Sequence, residues 1–140
     1  MKQIPVIFWT GTGNTQMMAD VIAAAINAAG AEAVVKNVSE ISADEAAGYA
    51  ALALGCPAMG AEVLEECEFE PFFTELEGKL AGKKVALFGS YGWGGSYMQD
   101  WEARVKDAGA ELVAAGVLAL GAPDDEAEAK LAEAGKLLAE

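Results

Sequence analysis

Thr10-Gly11-Thr12-Gly13-Asn14-Thr15 follows the apolar run Ile4-Pro5-Val6-Ile7-Phe8-Trp9 and opens a stretch patterned as a helix. Hydroxyls, an amide and two glycines thus occupy the turn between a strand and a helix, with no charged side chain among them. Glycines let backbone N–H groups approach a ligand, and a helix N-terminus adds about half a positive charge, so this turn suits an anion. A P-loop would need a lysine and a longer spacing, and the nearest lysines are Lys2 and Lys36. A dinucleotide fingerprint would need a third glycine where Gln16 stands. What remains is a nest for a terminal phosphate, built from N–H groups and hydroxyls at a helix start.

Outward from that turn, apolar runs alternate with helical patterns along the whole chain. The runs 3–9, 33–38, 50–55, 84–89 and 111–120 read as strands, mostly continuous in apolar character, as expected where helices cover both faces of a parallel sheet. Met18, Ile22, Ala25, Ile26 and Ala29 form a stripe at helical spacing, closed by Gly30. Ser42 with Asp44 and Glu45 predicts a short second helix, 71–80 a third, 96–108 a fourth, and Pro123-Asp124-Asp125-Glu126 the start of a last one. Five β–α units predict a single α/β domain over residues 1–140, a doubly wound five-stranded parallel sheet of order 2-1-3-4-5. Pro5 strains this reading, because an interior strand needs its N–H, and it fits only at the strand start or a bulge.

Composition narrows the function. The chain has 140 residues, 54% hydrophobic, yet no apolar run approaches the roughly 20 residues that span a bilayer. Nine basic against 22 acidic residues give a charge of −13, which argues against nucleic acid and for basic protein surfaces as partners. No signal-peptide pattern follows Met1-Lys2, and Cys56 and Cys67 match no disulfide or metal spacing, so a cytoplasmic, reduced setting is expected. Histidine is absent, which removes imidazole acid–base chemistry and imidazole metal sites.

In a doubly wound sheet, ligands sit beyond the carboxyl ends of the strands where strand order reverses. With order 2-1-3-4-5, three unusual loops converge there: Thr10 to Thr15, then Cys56-Pro57-Ala58-Met59-Gly60-Ala61-Glu62, then Ser90-Tyr91-Gly92-Trp93-Gly94-Gly95. Tyr91 and Trp93 among glycines read as ligand-facing aromatics, whereas Trp9 and Trp101 read as packing residues. Met59 is a soft, polarizable side chain beside a glycine turn, and Glu62 is the nearest carboxylate to it. Together the loops describe a flat aromatic ligand with a phosphate, such as flavin mononucleotide (FMN).

Thr-Gly-Thr-Gly-Asn-Thr after the first strand, Gly55-Cys56-Pro57-Ala58-Met59-Gly60 after the third and Leu87-Phe88-Gly89-Ser90-Tyr91-Gly92-Trp93-Gly94 after the fourth closely resemble the short-chain flavodoxins. The likeness runs the length of the chain and lacks the strand-five insertion of the long-chain group. The resemblance implies a non-covalently bound FMN and low-potential one-electron transfer in place of ferredoxin, without substrate chemistry. It implies that Thr10, Gly11, Thr12, Gly13, Asn14 and Thr15 hold the phosphate. Met59 would lie on the inner face of the ring, Trp93 or a neighbour on the outer, and Glu62 would accept from the flavin N3–H. Pro57, Ala58, Gly60, Ala61, Ser90, Tyr91, Gly92 and Gly94 complete the expected cofactor contacts. Redox proteins with basic surfaces would be the partners of a monomeric carrier. The alternative is an FMN-binding activator or maturation protein dedicated to one redox enzyme.

In flavodoxins the peptide at the place of Gly60-Ala61 reorients on reduction, so that the first carbonyl can accept from the flavin N5–H of the semiquinone. Glycine at 60 allows the positive φ of one turn geometry, but the type II alternative asks it of Ala61, at a cost of roughly 1 kcal/mol. A somewhat less stabilised semiquinone is therefore expected. Glu62, Glu65, Glu66, Glu68 and Glu70, with no cation in that stretch, would disfavour a reduced, anionic flavin. The absence of lysine at the phosphate turn acts in the same direction.

Overall fold

The computed structural model describes residues 2–9, 13–57, 68–91, 96–120 and 122–140. Strands β1 (Gln3–Phe8), β2 (Glu32–Asn37), β3 (Ala51–Gly55), β4 (Lys84–Tyr91), β5 (Glu111–Leu112) and β6 (Val117–Leu120) form one sheet. Its order is β2-β1-β3-β4-β5, with β6 also on β4, and every pairing is parallel. The helices are α1 (Asn14–Ala28), α2 (Ala43–Ala47), α3 (Phe69–Glu77), α4 (Ser96–Asp107) and α5 (Asp125–Ala139).

The sheet is apolar on both faces because each face has its own helical layer. Ile4, Val6 and Phe8 of β1 join Met18, Ile22 and Ile26 of α1 and Leu131 and Leu138 of α5 in one core. Ile7, Leu52, Leu54 and Leu87 point the other way, into a core with Phe69, Phe73 and Leu76 of α3 and Tyr97, Trp101 and Val105 of α4. Alternation along each strand thus serves two hydrophobic layers, which is why the strands read as continuous apolar runs. Trp101, as expected, is a packing residue: it is fully buried and meets Phe69 and Phe73 edge-on at 5.4 and 5.9 Å.

Local chemistry sets the helix starts. Ser42 accepts from the Glu45 amide to begin α2, and Asp124 accepts from the Ala127 amide to begin α5. The last helix therefore starts after Asp124, not at Pro123. The third starts at Phe69, two residues earlier than expected, which puts Pro71 within its first turn, where a missing N–H costs nothing. Pro5 pairs with Val34 of β2, but the pairing of β1 with β3 begins only at Val6. The proline thus lies near the strand start, where β1 has a single neighbour.

The predicted fifth strand, 111–120, is two short segments. Lys84 pairs with Glu111 and Val85 with Leu112, yet Phe88 pairs with Val117. Four residues, 113–116, therefore face only Ala86 and Leu87 on β4. The slack forms a bulge whose Gly116 amide donates to the Glu102 carboxylate of α4 at 2.7 Å. The sheet keeps five positions, the fifth shared by β5 and β6.

Candidate functional site

Because all strands are parallel, the segments that follow β1, β3 and β4 leave the sheet at the same end. Backbone bonds hold those exits together: the Trp9 amide donates to the Gly55 carbonyl at 3.0 Å, and the Cys56 amide to the Phe88 carbonyl at 3.1 Å. The three predicted loops start from this common sill.

Of the phosphate turn, Gly13, Asn14 and Thr15 are described; Thr10, Gly11 and Thr12 lie outside the described residues. Gly13 is the N-cap of α1 with φ +91°, a left-handed conformation that favours glycine. Asn14 is the first helical residue and half-buried, and Thr15 is buried. Among the described residues no side chain caps this helix, and its first turn holds no acidic residue, in contrast to the capped, acidic starts of α2 and α5. A helix start without a carboxylate in its first turn suits a phosphate.

The second loop begins at Cys56, which is buried, and Pro57, half-buried; Ala58, Met59, Gly60, Ala61 and Glu62 lie outside the described residues. At the third, the structure corrects the reading. Ser90 and Tyr91 are the last two residues of β4 rather than loop residues, because they pair with Ala119 and Leu120 of β6. Ser90 is buried and Tyr91 half-buried at the carboxyl end of the strand, while Gly92, Trp93 and Gly94 lie outside the described residues.

Two contacts at the exits, and a third between α3 and α4, are absent from the sequence reading. The indole N–H of Trp9 donates to Glu68 at 3.2 Å, so Trp9 is a tether as well as a packing residue. The hydroxyl of Tyr97 donates to the Cys56 carbonyl at 2.8 Å within the core. Arg104 of α4 binds Glu70 through two nitrogens at 2.8 and 3.0 Å and Glu77 at 3.1 Å, with its guanidinium 4.7 Å from the Phe73 ring centre. Bonds to Glu77 and then Glu70 raise the Arg104 pKa further, and the bond to Arg104 holds Glu70 below the usual carboxylate range. This corrects the picture of an unrelieved acidic run: Glu70 is matched by a cation 34 positions away.

Among the described residues no group of acidic or cysteine side chains could hold a metal ion, and no helix is long and apolar enough to cross a membrane. The chain matches the family model described as Flavodoxin over residues 6–135. It is 48% identical over 135 residues to a flavodoxin of Clostridium beijerinckii, covering 96% of this chain and 97% of that protein. The chain belongs to the flavodoxin family. A flavodoxin of Megasphaera elsdenii is 46% identical over 128 residues, covering 91% of this chain and 93% of that one. The solution structure of two-electron reduced Megasphaera elsdenii flavodoxin superposes with a TM-score of 0.89 at 44% identity, covering 97% of this chain and 98% of that one. The chain is accordingly an FMN-binding electron carrier and not an enzyme.

Proposed function

We propose that residues 1–140 form one FMN-binding domain that carries single electrons at low potential in place of ferredoxin. The observation that carries the reading is the start of α1, where left-handed Gly13 and a first turn without carboxylates favour a phosphate. Bound FMN supplies the electron chemistry; the protein supplies binding and electrostatics.

In this reading Thr10, Gly11, Thr12, Gly13, Asn14 and Thr15 hold the phosphate through N–H groups and hydroxyls. Met59 and Trp93 or a neighbour cover the two ring faces and limit water, and Glu62 accepts from N3–H. Pro57, Ala58, Gly60, Ala61, Ser90, Tyr91, Gly92 and Gly94 line the rest of the cofactor. The charge of −13 supports redox partners with basic surfaces and a monomeric carrier repelled by its own copies, and two cysteines without disulfide spacing support a reduced, cytoplasmic setting.

Stepwise anaerobic reduction of the purified, FMN-loaded protein, followed by absorption, tests this reading. A yellow protein that turns blue and then pale is expected. A colourless protein that takes up no added FMN would overturn it.

A further inference from the structure

The buried bond from the Tyr97 hydroxyl to the Cys56 carbonyl, 2.8 Å long, joins two elements that the functional reading uses separately. Cys56 is the first residue beyond β3 and leads into the second loop, whereas Tyr97 is the second residue of α4, the helix that the third loop enters. The peptide between Cys56 and Pro57 has no N–H, so hydrogen bonding can orient it only through its carbonyl. The Cys56 amide already donates to Phe88 of β4, which fixes the residue from the strand side. Tyr97 fixes it from the helix side.

Two further features hold this arrangement. The Tyr97 ring stacks on Trp101, centroids 6.5 Å apart and planes 26° from parallel, so the phenol is packed in place. Gly89 on β4 leaves the room: a Cβ there would run into both the Tyr97 hydroxyl and the Cys56 carbonyl oxygen. Tyr97 is 2% exposed, so little water competes for the carbonyl, and burial keeps the phenol protonated as a donor.

We propose that Tyr97 is a positioning residue which, through the Cys56 carbonyl and in the space left by Gly89, sets the separation of the two loops that flank the FMN ring. The inference rests on the placement of the ring between those loops. A loop whose first peptide is pinned can respond to a change in the cofactor only beyond that pin. Removing the pin therefore alters how well the loop fits one oxidation state relative to another.

Tyr97→Phe keeps the ring and removes the donor. Titration with FMN is expected to show binding weakened about three- to tenfold, the worth of one buried hydrogen bond. The separation between the two one-electron midpoint potentials changes, and the Cys56 amide exchanges faster with solvent in the apoprotein. A purely structural bond would lower thermal stability and leave both potentials in place; that result overturns the proposal. If the variant does not fold, Gly89→Ala, which retains the hydroxyl but forces it from the carbonyl, must give the same change in separation, and unchanged potentials there overturn it equally. A wild-type chain that takes up no FMN overturns the functional reading itself, and this inference with it.

Discussion

Trp9 and Glu68 lie 59 positions apart in sequence and are joined by a hydrogen bond of 3.2 Å from the indole nitrogen to the carboxylate. Trp9 is the last described residue before the phosphate turn, and Glu68 is the N-cap of α3, just past the second loop. The contact ties the end of β1 to the start of α3 and so, in the proposed reading, the approach to one cofactor loop to the segment that follows another.

Glu68→Ala, which removes the acceptor, should weaken FMN binding by roughly two- to fivefold, since the bond is solvent-exposed. Glu68→Gln should lose less, because its amide oxygen can still accept. In a cycle with Trp9→Phe, the paired variant should lose no more than the larger single loss. Additive losses would show that the two side chains act independently.

Arg104→Met should lower stability by about 2 kcal/mol, measured by urea unfolding, since it removes a guanidinium serving two part-buried carboxylates. The pH dependence carries a sign. The Glu70 pKa is lower in the folded chain than in the unfolded one, so its pairing stabilises fully above the ordinary glutamate value of about 4.3. That contribution is lost as pH falls through the lowered value. The wild type should therefore lose more stability than Arg104→Met below about pH 4. Parallel acid limbs for the two proteins would contradict this.

Gly55→Ala should destabilise by about 1–3 kcal/mol. A Cβ on Gly55 would enter the Phe88 ring, which is fully buried and must shift within a packed core to admit it. Thermal unfolding of the apoprotein checks this, and a change below 0.5 kcal/mol would mean that the sheet end can yield.

Gln16→Lys places a cation in the first turn of α1, where Gln16 is exposed and no acidic neighbour in that turn would neutralise it. It should favour the reduced, more negative cofactor by a few-fold, raising the second one-electron potential. Raising the salt concentration should shrink the effect. No rise at low salt would separate the phosphate turn from redox tuning.

Ala61→Gly should relieve the positive-φ cost of one turn geometry, roughly 1 kcal/mol, and so alter the separation of the two one-electron potentials. Potentiometry on both proteins measures it. An unchanged separation would show that position 61 carries no such strain.

The sequence was most legible where structure is local. Continuous apolar runs mark buried strands because each strand faces two cores, and capping residues such as Ser42 and Asp124 act within three positions of themselves. Strand ends were less legible: Ser90 and Tyr91 belong to β4 only because β6 arrives beside them. The break at 113–116 likewise depends on a register that no single run encodes. Around the candidate site, the residue types of the three loops could be read directly. The polar contacts at their edges could not, since Tyr97 meets Cys56 across 41 positions and Trp9 meets Glu68 across 59.

The cations follow the architecture. Lys2, Lys83 and Lys84 stand at strand beginnings, and Lys79, Arg104, Lys106 and Lys136 at or just past the last turns of helices. Lys2 and Lys84 bind backbone carbonyls at the end of α5. In a parallel α/β layout those are one pole of the molecule, opposite the strand exits. Seven of the nine cations therefore sit at that pole; of the other two, Lys36 stands near the end of β2 and Lys130 within α5. Contact with a positively charged surface is therefore opposed by fewer like charges at the strand-exit pole than at the other.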